Sequence, residues 1–252
     1  MKIVVIGGTG LIGTKLIEQL TPHGHELFAA SPSTGVNTLT GEGVAAALRG
    51  ADVVVDVSNS PSFADQAVMA FFQASTSNLL RLEEEAAVGH HVALSIVGAD
   101  RAPDSGYLRA KVAQEKLIIE SGRPYSIVRA TQFYEFVSSI ADAATVDGEV
   151  HVPLGSLQPM AADDVVQALA RATVAPATMS THEVGGPQAF TMPELMRLAL
   201  TASADPRPIV GDPTARYFGT LLTGKELCPG DDAELSRTEF PDWLAAAIPV
   251  RH

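Results

Sequence analysis

The chain of 252 residues contains one cysteine, Cys228. No intrachain disulfide can form, which suits a reducing compartment. Positive charge is scarce: 17 Lys and Arg stand against 29 Asp and Glu, a formal balance of −12. No run of Lys and Arg supplies the electrostatic footprint that binding a nucleic-acid backbone requires. A membrane-crossing helix needs about 20 mostly apolar residues, and runs such as Val92 to Ala99 fall well short. The start Lys2-Ile3-Val4-Val5-Ile6 passes straight into glycines, without the apolar core of a secretory signal. A cytoplasmic protein with neither a nucleic-acid nor a membrane partner is expected. Repeats and low-complexity segments are lacking, and the absence of G-x-S-x-G leaves a hydrolase nucleophile unsupported. His23-x-His25 and His90-His91 have no acid or Cys at ligand spacing, so surface or strand-edge roles, and no metal, are expected there.

What remains is an ordinary globular composition, 46% hydrophobic and 18% charged, of a length that one large α/β domain can use. Ile3 to Ile6, Val53 to Val57 and Val92 to Val97 are near-continuous β-branched runs, as in strands buried on both faces. Helix-like stretches lie between them. Ile12, Leu16 and Leu20 repeat every four residues, Ser60-Pro61 reads as the start of a helix reaching Ala87, and Gly122 and Pro124 stop one that begins near Tyr107. Glu83 to Glu85 reads as a solvated helix end. A strand is expected at Tyr125 to Arg129, a helix Val165 to Ala175 capped by Asp163 or Asp164, and another from Thr191-Met192-Pro193-Glu194 through Leu200. Alternating strands and helices predict an α/β fold with a doubly wound parallel sheet. Past Gly185 the pattern thins and Pro and Gly multiply. Residues 1–252 therefore read as one domain, with 186–252 forming much of a smaller substrate-capping lobe.

Directly after the first strand stands Gly7-Gly8-Thr9-Gly10-Leu11-Ile12-Gly13. A strand before and a helix after are the context in which G-x-G-x-x-G cradles a pyrophosphate at a helix N-terminus, so Gly7, Thr9, Gly10, Leu11, Ile12 and Gly13 are assigned to a dinucleotide. The second strand, about Glu26 to Ala30, lacks the terminal acid that binds the ribose 2′-hydroxyl of NAD. Ser31 and Ser33 follow instead, hydroxyls able to donate to a 2′-phosphate, so NADP(H) is preferred and NAD(H) is the second choice. No Lys or Arg lies between Lys15 and Arg49 to assist them. Asp56 closes the third strand, and Val57, Ser58 and Asn59 continue at its carboxyl edge, where they can line the adenosine or ribose.

Twelve residues beyond Ser95 comes Tyr107-Leu108-Arg109-Ala110-Lys111. Residues four apart share a helix face, which sets the Lys111 ammonium beside the Tyr107 phenol. A phenol titrates near 10 and exchanges protons poorly at neutral pH unless positive charge stabilises the phenolate. Ser95 is placed to hydrogen-bond a substrate carbonyl and Tyr107 to protonate it. Phe133 and Phe136 are candidate apolar substrate contacts.

Gly7 to Gly13, Ser95 to Ala99, Tyr107 to Lys111, Arg129 to Tyr134 and Pro159 to Val165 resemble the short-chain dehydrogenase/reductase superfamily, in its atypical NmrA-like branch. The resemblance implies a Rossmann-like fold, Ser95, Tyr107 and Lys111 as the active-site residues, and Ala130, Thr131, Gln132 and Phe133 as the segment bordering the nicotinamide. It also allows a homodimer. The expected function is NADP(H)-dependent hydride transfer to or from a small, apolar carbonyl or quinone-like substrate. The alternatives are an NADP(H)-sensing regulatory protein without turnover and a sugar-nucleotide epimerase, although the tail carries few cations to hold a diphosphate.

Overall fold

The computed structural model describes residues Met1 to Ala247. They form two compact units. The first comprises Met1–Ile96, Gly106–Arg129 and Val165–His182; the second comprises Val97–Ser105, Ala130–Asp164 and the chain from Glu183.

The strands β1 (Lys2–Ile6), β2 (Glu26–Ala30), β3 (Val53–Asp56), β4 (His90–Ile96) and β5 (Tyr125–Ala130) belong to a seven-stranded Rossmann-like sheet. Its order is Glu234–Leu235, Ser180–Gly185, β5, β4, β3, β1, β2. β1 runs parallel to β2 and β3, and β3 parallel to β4. The order reverses beside β1, so the carboxyl ends of β1 and β3 flank the crevice where open α/β sheets bind ligands. The apolar runs behave as both-face buried strands should: Ile3, Val4, Val5, Val54 and Val55 are fully buried.

Around this sheet the first unit packs α1 (Leu11–Leu20), α2 (Val44–Ala47), α3 (Asp65–Glu85) and α4 (Gly106–Glu120). Val4, Ile6 and Val54 meet Leu48 of the segment after α2 and Leu79 and Leu82 of α3 in one apolar cluster. Ser60-Pro61 does not open a helix. Ser60 Oγ donates to the Ser62 carbonyl at 2.7 Å and accepts from the Ser62 N–H, and Ser62 Oγ accepts from the Ala64 N–H. These local bonds compete with helix formation, and α3 starts at Asp65.

The expected solvated helix end is also corrected. Glu83 is fully buried and its Oε1 lies 2.8 Å from Nδ1 of His91, itself 1% exposed. His90, expected on a surface or strand edge, is buried as well, with Nε2 2.9 Å from Ser126 Oγ.

The second unit contains α5 (Val137–Ala143), the start of α6 (Ala162–Val174), α7 (Met192–Ala202), α8 (Phe240–Ala247) and two small sheets. Asp163 and Asp164 lie in the first turn of α6 instead of capping it. The N–H of the buried Ala162, at the start of the helix, donates to the Glu135 carboxylate, both oxygens at 3.1 Å. Thr191 and Glu194 cap α7 reciprocally, as their spacing predicts. Tyr134, Phe240 and Trp243 form an aromatic cluster, with the Tyr134 hydroxyl donating to the Thr238 carbonyl at 2.8 Å.

Candidate active site

Four glycines shape the turn between β1 and α1, for different reasons. Gly7 has φ +78°, and a Cβ there would meet Ser58 backbone at 2.9 Å. At Gly8 it would strike Ala29 at 2.7 Å, and at Gly13 the Gly7 carbonyl oxygen at 2.4 Å. Gly10 differs. Its φ of −83° suits any residue, and a Cβ would meet only the Gly7 oxygen, at 3.3 Å. Neither backbone strain nor severe crowding explains this glycine, and the space beside it is left open. Gly10 caps α1 without a side chain and the first turn holds no acid, so the unbonded N–H groups there are open to an anion. Thr9 and Leu11 are exposed at this end, whereas Ile12 is buried.

The loop after β2 forms a short 3-10 turn, Pro32–Thr34. Ser31 Oγ lies 2.8 Å from Ser33 Oγ, and Thr34 Oγ1 accepts from the Ser31 N–H at 2.9 Å. At the end of β3 the Val57 N–H bonds Ile6, Ser58 Oγ donates to Asp56 Oδ1 at 2.6 Å, and Asn59 Oδ1 accepts from the Tyr107 hydroxyl at 3.2 Å.

β4 and α4 carry Ser95, Tyr107 and Lys111, the residues expected to react. Ser95 is 3% exposed and its Oγ has no hydrogen-bond partner among the described residues. Such a group normally finds one. α4 starts close against α3: a Cβ on Gly106 would fall 2.0 Å from Asp65 Oδ1, and Arg109 bonds the same carboxylate at 2.8 Å. This close approach seats Tyr107 against Phe72, with Phe63 edge-on to the phenol ring at 5.2 Å. Burial pushes the phenol up to about 12, the bond to Asn59 opposing it.

Lys111 is 4% exposed. Its ammonium donates to the Leu94 carbonyl at 2.9 Å and to Gln114 Oε1, and lies 4.5 Å from the Phe72 ring centroid. Burial lowers it to about 8, against the upward pull of Asp56 and Glu115. The helix spacing predicts the shared face but not these partners. Gln114, Phe63, Phe72 and Gly106 are among the residues of this neighbourhood that no motif of the sequence singles out, and Asp56 is expected only as a polar group at the carboxyl edge of β3. Gln114 sits three positions beyond Lys111, a spacing that was available as a signal.

In the second unit, Ala130 and Thr131 are buried, and Thr131 Oγ1 and Gln132 Oε1 have no hydrogen-bond partner among the described residues. The Thr131 N–H bonds Val184, and Gln132 and Phe133 pair with Met160. Phe133 stacks on Phe136 at 5.6 Å between centroids, and Phe136 is 47% exposed. Among the described residues there is no cluster of three metal-ligating side chains and no helix long and apolar enough to cross a membrane.

The open cradle at Gly10 and the orphaned Ser95 hydroxyl fit a bound dinucleotide with a polar substrate atom nearby, and sequence similarity agrees. Residues 7–176 match the NAD(P)H-binding family, and the chain belongs to it. An NAD(P)H azoreductase of Xenophilus azovorans is 29% identical, the match covering 98% of this chain and 90% of that protein. The photosystem II assembly factor Ycf39 of Synechocystis sp. is 23% identical over 79% of this chain and 66% of its own length. In fold, the chain resembles MoeE5, solved in complex with UDP-glucose and NAD. The TM-score is 0.76 at 18% identity, covering 97% of this chain and 96% of that one. The chain is thus an NAD(P)H-binding protein with a Rossmann-like fold, in line with its sequence resemblance to the atypical short-chain dehydrogenases/reductases.

Proposed function

We propose that this protein is an NADP(H)-dependent reductase of small, apolar carbonyl or quinone-like compounds. The observation that carries the reading is the buried, unpartnered Ser95 hydroxyl at the end of β4, on the strand whose Leu94 carbonyl binds Lys111. A bound nicotinamide supplies the hydride. Ser95 donates to the substrate oxygen, and Tyr107, protonated at neutral pH because burial holds it near 12, gives that oxygen its proton. The buried Lys111 charge favours the phenolate that remains. The cofactor is assigned to Gly7, Thr9, Gly10, Leu11, Ile12 and Gly13 at the phosphates, to Val57, Ser58 and Asn59 at the ribose, and by resemblance to Ala130, Thr131, Gln132 and Phe133. Ser31 and Ser33, with no acid after β2, support NADP(H) over NAD(H). Phe133 and Phe136 are proposed substrate contacts. Similarity to an NAD(P)H azoreductase supports a flat, conjugated acceptor.

The test is oxidation of NADPH and NADH by the purified protein over a panel of quinones, azo compounds, ketones, aldehydes and imines. NADPH-preferring turnover on the conjugated acceptors is expected; tight cofactor binding with no turnover on any acceptor would overturn the reading. It would favour the second one, an NADP(H) sensor, to which the engagement of the Lys111 ammonium by Leu94 and Gln114 lends support. Partner capture with NADP-loaded against apo protein then becomes decisive.

A further inference from the structure

The Lys111 ammonium is joined to a buried carboxylate through one intervening side chain. Gln114 lies on the same face of α4, 1% exposed, and its Oε1 accepts a hydrogen bond from the ammonium. Its Nε2 donates to Asp56 Oδ2 at 2.9 Å. Asp56, also 1% exposed, ends β3, and its other oxygen accepts from both the N–H and the hydroxyl of Ser58, at 2.9 and 2.6 Å. Ser58 in turn backs Gly7 of the phosphate turn.

We propose that Gln114 and Asp56 are positioning residues for Lys111, the carboxamide linking ammonium to carboxylate so that the buried charge is compensated and held on the Leu94 carbonyl. A buried ammonium without a counter-charge is costly, and a network of this kind holds only when each member is satisfied. The carboxamide suits its place because it presents one acceptor and one donor. A glutamate at 114 would set a carboxylate against Asp56, and an aliphatic side chain would break both bonds. Other charged groups near the relay are Glu115 on α4, ion-paired with Arg129 of β5 at 2.6 Å, and His91 on β4, which the Asp56 charge also influences. The consequence for turnover rests on the reductase reading; the relay itself does not.

The test is nuclear magnetic resonance of the whole chain carrying ε-13C lysine. With five lysines in the sequence, Lys111→Met assigns the resonance. The native Lys111 signal is expected to titrate near 8. Removing the carboxylate charge in Asp56→Asn should move that midpoint down by about one unit or more, and Gln114→Glu should move it up. Folding of each variant is checked by its melting temperature. A measurement on the native chain needs no variant: the Gln114 carboxamide 15N signal should shift with the same midpoint as Lys111 and exchange slowly with solvent. A Lys111 midpoint indifferent to Asp56→Asn, or a carboxamide that ignores the lysine titration, overturns the relay. The two readings fail separately. Shifted midpoints in a protein that reduces nothing sink the reductase and leave the relay, whereas Tyr107-dependent turnover with unshifted midpoints sinks the relay alone.

Discussion

An unpaired buried hydroxyl costs a protein about 1–3 kcal/mol, so removing the one on Ser95 should not weaken the fold. Ser95→Ala is expected to keep or slightly raise the melting temperature while lowering kcat about 10²-fold, in the range for losing one donor to a reacting oxygen. Calorimetry and steady-state kinetics on the same sample check both halves. Lys111 sets a pH dependence: below about 8 its ammonium is charged, and reductase activity should fall as pH rises through that value. His91 acts on stability. Burial lowers its pKa, but the charge and hydrogen bond of Glu83 outweigh burial and leave it raised. The contribution is therefore complete below the unfolded value of about 6.5 and is lost as pH rises through the folded value. Denaturant melts of the native chain should weaken as pH rises above about 6.5, and His91→Leu, which strands the Glu83 charge, should cost about 3–5 kcal/mol at pH 6. Neither partner was legible as such. Three consecutive glutamates resemble a solvated end, and only the turn from α3 into β4 brings the first of them onto a histidine.

At the scale of elements, the glycine turn makes two opposite predictions from one residue change. Gly13→Ala places a methyl 2.4 Å from the Gly7 oxygen and should destabilise the protein by about 1–3 kcal/mol. Gly10→Ala meets little within the protein and should melt nearly as the native chain does, yet bind NADPH at least about tenfold more weakly because the methyl fills the approach to the helix terminus. Titration of cofactor fluorescence against melting temperature separates the two. The strands, the turn and α4 were legible because buried parallel strands need continuous β-branched runs and helices need caps, both local demands. The start of α3 was not, since Ser60 and Ser62 satisfy their hydrogen bonds within the loop and delay the helix to Asp65. The start of α6 was misread for the converse reason: its cap comes from Glu135, 27 positions earlier.

For the molecule as a whole, cofactor binding and folding are linked. A ligand that binds only the native state at a hundred times its Kd adds about 2.7 kcal/mol, which for a chain of this size corresponds to roughly 5–10 °C in melting temperature. NADPH should produce this rise at a lower concentration than NADH. The broad class was legible from the order of motifs along the chain. The relay from Asp56 to Lys111 was not, because it joins residues 55 positions apart that meet only once β3 and α4 are packed. The most direct test of the account is the rate of NADPH oxidation by the native chain and by Tyr107→Phe, with the acceptor found on the panel. A loss of about 10²-fold or more, with NADPH affinity retained, is the predicted result; turnover that survives intact in Tyr107→Phe would contradict it.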